Sequence, residues 1–260
     1  MRKDEKNKQD IANSCSAAKK SQGCSGSEDS LDAFLEQQKL DDRMQKIKHK
    51  IIVLSGKGGV GKSTVAVNLA ISLSLSGWKV GLLDIDIHGP SIPKMLKLES
   101  SKINILDGVI YPVEKEGMKV LSIGFLVREK DDAVIWRGPM KANVIKQFLS
   151  DVEWGDLDYL VIDSPPGTGD EPLSICQLLN NPDGAVVVTT PQDVAVADVR
   201  KSVNFCMQLK IPVLGVVENM SGFVCPKCGE ITQIFKNGGG ERMAKEMGVP
   251  FLGRIPIDPA

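Results

Sequence analysis

The chain has 260 residues, 42% hydrophobic and 25% charged, with a net charge of −1 and six cysteines. That is the make-up of an ordinary globular chain with room for one large core. The near-zero charge offers no field for nucleic acid or acidic membrane, no apolar run approaches the roughly 18 residues of a bilayer span, and the polar start is not a secretory signal. Cysteines in such a chain read as reduced thiols or metal ligands, and a cytoplasmic setting is expected.

Residues 1–29 are polar, rich in Lys, Ser and Asp, and are expected to form a disordered tail. Cys15 and Cys24 lie in it at a spacing that matches no ligand pattern. Residues 30–260 are expected to form one domain. Ser30 is predicted to cap a helix reaching about Ile47, with Leu31, Phe34 and Leu35 on one face.

The apolar run Ile51-Ile52-Val53-Leu54 then leads into Gly56-Lys57-Gly58-Gly59-Val60-Gly61-Lys62-Ser63-Thr64, and a helical pattern follows from Val65 to Leu75. Strand, glycine loop and helix together make a phosphate cradle. Glycines leave backbone N–H groups free to point inward, and the positive end of the helix favours an anion. Lys62 is placed to reach β- and γ-phosphates, and the Ser63 hydroxyl to ligate Mg²⁺. A second lysine, Lys57, sits inside the loop, where cradling by one subunit has no need of it.

Lys79 to Leu83 reads as a buried parallel strand ending in Asp84-Ile85-Asp86. Carboxylates two apart at a strand end face the same way. One suits the Mg²⁺ shell, the other the orientation of an attacking water. Residues 103–125 suggest a hairpin around Gly108 and Gly117. Trp136, read as packed, precedes a helix whose apolar stripe is Val144, Ile145, Phe148 and Leu149. Tyr159 to Asp163 is an apolar strand ending in an acid, suited to hold Mg²⁺ through water. Gly167, in the turn after it, can approach a γ-phosphate closely.

A helix is predicted over Pro172–Leu179, a strand over Gly184–Thr189 and a helix over Val194–Lys210, with Cys176 and Cys206 in apolar stripes as core residues. The strand Val213–Val217 is followed by Glu218-Asn219-Met220, where the Asn219 carboxamide could read the edge of adenine. Cys225-Pro226-Lys227-Cys228 lies in a short knuckle over 222–229 with glycines at both ends. Two thiolates cannot complete the four-ligand shell of zinc or of a [4Fe–4S] cluster; two copies across a dimer axis supply four. A helix over Glu241–Met247 and a strand over Phe251–Ile255 close the pattern. The alternation predicts a doubly wound, mainly parallel α/β domain.

Together these residues resemble the Mrp/ApbC family of ATP-binding iron–sulfur cluster carriers, within the deviant Walker A class of P-loop NTPases that also holds the Min and Par ATPases. The stretches that carry the likeness include Gly56 to Thr64, Asp84 to Ser91, Trp136 to Met140, Asp163 to Glu171, Glu218 to Ser221, Cys225 to Cys228 and Gly238 to Arg242. The resemblance implies a homodimeric ATPase that assembles a [4Fe–4S] cluster and passes it to apo-proteins. It implies that residues 56–63 bind ATP, that Lys57 reaches the partner subunit's nucleotide, that Asp86 is the hydrolytic acid, and that Cys225 and Cys228 bind a bridging cluster. Two departures stand out. The sequence stops at Ala260, where family chains continue into a further helix, and the tail has two cysteines where some relatives carry four. A Min- or Par-type positioning ATPase would need a membrane helix or a basic DNA face, neither of which the sequence offers. A zinc-stapled dimeric ATPase that regulates a partner is the remaining alternative.

Overall fold

The computed structural model describes residues 25–86, 89–126, 138–179 and 181–258. They fall into two units, one ending at Asp42 and the other starting at Arg43. Helix α1, Ser25–Gln45, begins in the first. It opens ahead of the expected cap at Ser30, and Phe34 and Leu35 on it are exposed. Most of the expected tail lies outside the described residues.

In the second unit, strand β1 (Ile47–Ser55) leads through the glycine loop to helix α2 (Lys62–Leu75). Then come β2 (Val80–Asp84), the short helix α3 (Ile92–Met95), β3 (Asn104–Leu106), β4 (Val109–Tyr111), β5 (Val113–Lys115) and β6 (Met118–Ser122). Helix α4 (Gly138–Ser150), β7 (Leu157–Asp163), α5 (Asp170–Leu178), β8 (Gly184–Thr189) and α6 (Asp193–Gln208) follow. The chain then makes β9 (Val213–Val224), β10 (Ile231–Thr232), α7 (Gly239–Met247) and β11 (Phe251–Ile257). The sheet order is β10-β9-β8-β1-β7-β2-β6-β5, with β11 on β9. Within this sheet all pairings are parallel except β5 on β6 and β10 on β9, and β3 and β4 pair antiparallel by themselves. The mainly parallel α/β fold is as the sequence predicts. No helix among the described residues is long and apolar enough to cross a membrane.

Strands β2 and β8 are buried along their whole length because both sheet faces are covered. Val186 and Val188 join one cluster, with Val65, Ala66 and Ala70 of α2. Val187 between them faces the other way, with Val199 and Val203 of α6 and Met243 of α7. Each fully buried valine contributes about 1.5–3 kcal/mol. The stripe expected on α4 is real: Ile145, Phe148 and Leu149 are buried.

Two differences from the sequence reading shape the site. Residues 103–125 form two hairpins, not one. Their two-residue turns, Asp107-Gly108 and Glu116-Gly117, all have positive φ (50, 77, 52 and 78), the geometry that matches strand twist. The second hairpin ends in β6, which adds to β2 in parallel and sets Ser122 opposite Asp84. The other difference is that β9 does not stop at Val217 but runs to Val224. Its partner β11 continues the ladder to Phe223, past residues that read locally as strand breakers.

Candidate nucleotide and metal site

The loop between β1 and α2 is shaped by two kinds of glycine. A Cβ on Gly56 would stand 2.3 Å from the backbone of Asp198 on α6, and one on Gly61 would stand 2.1 Å from Asn219 Nδ2. Those two glycines are set by protein neighbours. A Cβ on Gly58 would come no nearer than 4.0 Å to Pro166, and one on Gly59 meets nothing within 4 Å. Those two leave the loop's concave side clear for a ligand's phosphates. Gly59 and Gly61 have φ of 79 and 82, and α2 begins with no side-chain cap. Its first N–H groups therefore point to the loop with the positive end of the helix behind them. Val60 is buried, Thr64 and Lys57 are exposed, and the Lys57 carbonyl accepts from Ser55 Oγ at 3.0 Å.

The first turn of α2 carries Lys62 into a cluster of acids at the strand ends. Its side chain is only 6% exposed, and its ammonium pairs with Asp163 Oδ1 and lies 3.6 Å from Asp86 Oδ2. It also stands 3.4 Å from Ser63 Oγ. Parallel pairing of β2 with β7 puts Asp84 beside Asp163. Asp84 is fully buried; its Oδ2 accepts from Ser122 Oγ at 2.8 Å and its Oδ1 from the Asp86 N–H at 3.1 Å. Burial, then the charge of Asp163, pushes the Asp84 carboxyl up to about 7. Burial also raises Asp163, against the pull of Lys62. Gly167 (φ 95) donates its N–H to Ser55 O at 2.7 Å, which hooks the turn after β7 onto the end of β1. The structure thus brings Lys62, Ser63, Asp84, Asp86, Asp163 and Gly167 to one edge of the sheet.

A divalent cation fits this edge. Asp163 Oδ2 is buried with no hydrogen-bond partner among the described residues, which is unfavourable for a carboxylate oxygen unless a cation or its water takes it up. Asn219 arrives from β9 and donates Nδ2 to Val60 O at 3.0 Å, so it braces the phosphate loop itself. Ile87 and His88, within the expected motif after Asp86, and Trp136 lie outside the described residues.

The cysteine pair stands where β9 ends. Cys225 N–H donates to Glu230 O at 2.9 Å and Gly229 N–H to Cys225 O at 2.8 Å, and β10 returns antiparallel with Ile231 opposite Val224. Gly229 has φ 73, which closes this tight knuckle. Cys225 is half-buried and Cys228 exposed. The N–H groups of Lys227 and Cys228, with the Cys228 thiol, hold the Cys225 thiol below its usual range. A lowered thiol is more thiolate, which is the metal-binding form. Among the described residues no third His, Cys, Asp or Glu joins the pair to hold a metal ion. Cys176 and Cys206 are buried, with thiols pushed up by burial to about 12 and about 11, as core residues should be. Cys15 and Cys24 lie outside the described residues.

Two buried polar residues near the strand ends have no role assigned from the sequence. Ser122 supports Asp84 only because β6 joins β2, which no local signal announces. Glu218 is fully buried and bonded on both oxygens. Its signal was present as a charged residue next to an apolar buried run.

A family model described as the NUBPL iron-transfer P-loop NTPase of the ParA group matches residues 46–260. The iron-sulfur cluster carrier protein of Methanocaldococcus jannaschii is 58% identical over 221 residues, covering 85% of this chain and 76% of that protein. A cytosolic Fe-S cluster assembly factor NUBP2 homolog of Nematostella vectensis is also 58% identical, covering 83% of this chain and 82% of its own. Among solved structures, the nucleotide-binding protein of Archaeoglobus fulgidus, in complex with ADP, superposes with a TM-score of 0.75 at 44% identity, over 86% of this chain and 87% of that one. The chain belongs to the family of NUBPL-type iron-transfer P-loop NTPases.

Proposed function

We propose that this chain is an ATP-hydrolysing iron–sulfur scaffold that holds a [4Fe–4S] cluster between two copies and hands it to apo-proteins. The observation that carries the reading is the Cys225–Cys228 knuckle: two accessible thiols, one of them lowered, with no third ligand gathered around them among the described residues. Two such knuckles across a two-fold axis supply four thiolates. The names of the relatives support iron–sulfur cargo, and the ADP held by the 44% identical neighbour supports an adenine nucleotide.

At the loop, Lys62 and the first N–H groups of α2 hold the β- and γ-phosphates. Ser63 and Asp163 would hold Mg²⁺, with Asp84 behind them, and the ion would neutralise charge on the phosphates. Asp86, next to Lys62 at 3.6 Å, orients water toward the γ-phosphorus. The water oxygen bonds to the γ-phosphorus as the bond from phosphorus to the bridging oxygen breaks; ADP leaves with the electron pair, and of the water's two protons one stays on the phosphate and the other passes to solvent. Gly167 follows the γ-phosphate, Asn219 braces the loop near the base, and exposed Lys57 reaches the partner subunit's nucleotide.

The test is anaerobic loading with ferrous iron and sulfide, followed by transfer to an apo-dehydratase that needs a [4Fe–4S] cluster. Recovery of the acceptor's activity, lost in Cys228→Ser, is expected. Binding of half a zinc per chain without sulfide, and no transfer, would replace the carrier with a zinc-stapled ATPase.

A further inference from the structure

Strand β9 carries parts of both sites. Asn219 braces the phosphate loop, and the knuckle begins one residue past the strand's end. Between them the ladder is irregular. Ile255 of β11 pairs with Asn219 and Ile257 with Phe223, so β9 holds extra residues across that step. Such a bulge bends a strand and re-aims its side chains. Met220 lies in it at φ 55 and Gly222 at φ 90. A methionine in the left-handed region is strained, and stays there only where its surroundings hold it.

The group that holds it is Glu218. Its Oε1 accepts from Ser221 Oγ at 2.6 Å and from Gly238 N–H at 3.0 Å, with Arg254 Nε at 3.3 Å; Oε2 accepts from Gly240 N–H at 2.6 Å. The bond to Ser221 closes directly over Met220. Those to Gly238 and Gly240 fix the same carboxylate to the start of α7, and Arg254 ties it to β11. An apolar side chain would pack the strand without demanding any of this. The buried charge demands one arrangement in which all four donors arrive, and any other leaves it short of partners. That makes the bulge a device with discrete settings, not an elastic one.

We propose that Glu218 is a positioning residue that latches the Met220 bulge and makes the setting of the Cys225 and Cys228 thiols depend on what the phosphate loop holds. The proposal takes from the carrier reading what the thiols are for, not whether they move. A nucleotide that draws the Val60 peptide moves Asn219 with it. The latch passes that displacement along β9 to Cys225, where an unlatched Met220 would absorb it.

The experiment is alkylation of the full-length, metal-free chain by iodoacetamide, read peptide by peptide in a mass spectrometer, with and without Mg-ATP or a non-hydrolysable analogue. In the unaltered chain the nucleotide should change the Cys228 rate about fivefold or more. Glu218→Gln should bind nucleotide within about threefold of the parent and lose nearly all of that change. Ser221→Ala, which removes only the bond across Met220, should lose part of it. A residue with a merely structural role would shift the rate equally with and without nucleotide. Full nucleotide dependence in Glu218→Gln overturns the proposal, as does none in the unaltered chain; if Glu218→Gln does not fold, full dependence in Ser221→Ala overturns it. A chain that loads and transfers iron but shows no nucleotide dependence keeps the carrier reading and loses the latch. One that shows the dependence but carries no cluster keeps the latch and loses the carrier.

Discussion

The nucleotide loop and the cysteine knuckle lie at neighbouring points of one sheet and are built in opposite ways. The loop's working groups come from α2, β2 and β7, and Lys62, Asp84 and Asp163 are buried. Each acid has a partner within the same chain, with Asp163 Oδ2 left for a cation. The knuckle is closed by backbone bonds of Cys225 with Glu230 and Gly229 and leaves Cys228 exposed. On the proposed function the buried groups bind and hydrolyse the nucleotide, with exposed Lys57 alone reaching across to the partner's, whereas the two thiols would hold a cluster only together with a second pair.

The largest effect should come from the open half. Cys225→Ser or Cys228→Ser should bring iron and sulfide to background after reconstitution while nucleotide affinity stays within about threefold, because the two sites share no ligand. Cys176→Ser and Cys206→Ser should keep their iron. Loss of nucleotide binding in the knuckle variants would erase the distinction between the two regions. Next is Lys62→Ala. Removing the buried cation from the phosphates should weaken ATP binding by about 100-fold in calorimetry, with cysteine-bound iron retained.

Asp86→Asn sharpens the assignment within the closed site. It should bind ATP within about threefold of the parent and hydrolyse it roughly 100-fold more slowly, because water orientation is lost and phosphate binding is not. Equal loss of binding in Lys62→Ala and Asp86→Asn would contradict these roles.

The effect furthest from activity concerns Asp84. Its carboxyl releases its proton near 3.8 in the unfolded chain and near 7 in the folded one. Between those values the folded chain binds more protons, so stability falls as pH rises through the window. Asp84→Asn stays neutral and can still meet Ser122 and the Asp86 N–H. It should be more stable than the parent by about 2–4 kcal/mol at pH 8, without nucleotide or Mg²⁺, and by little near pH 4. A gain independent of pH in denaturant melts would show that the buried charge is not its source.

What could be read from the sequence was what is local. The glycine loop, the strands ending in Asp84 and Asp163, and the Cys225–Cys228 knuckle each lie within a few residues of sequence, and the structure places the first three at one edge of the sheet and the knuckle at the end of β9. What could not be read depends on pairing between distant segments. Ser122 reaches Asp84 because β6 leaves a hairpin and joins β2 in parallel. β9 passes through Glu218-Asn219-Met220-Ser221-Gly222, a stretch of breakers, because β11 supplies a ladder from beyond α7. The glycines of the loop divide the same way: Gly58 and Gly59 face open space, as the local motif predicts, but Gly56 follows from the Asp198 backbone and Gly61 from Asn219. Helix α1 began ahead of Ser30 because nothing in the polar residues from Ser25 onward forbids a helix.

The proposed sharing of one cluster by two chains fixes a stoichiometry, so native mass spectrometry of the reconstituted, ATP-loaded protein tests it most directly. The account predicts a dimer with one nucleotide per chain and one cluster per pair of chains, about two irons for each chain. A monomer carrying four irons, or a dimer that keeps its cluster in the Cys225→Ser protein, would contradict it.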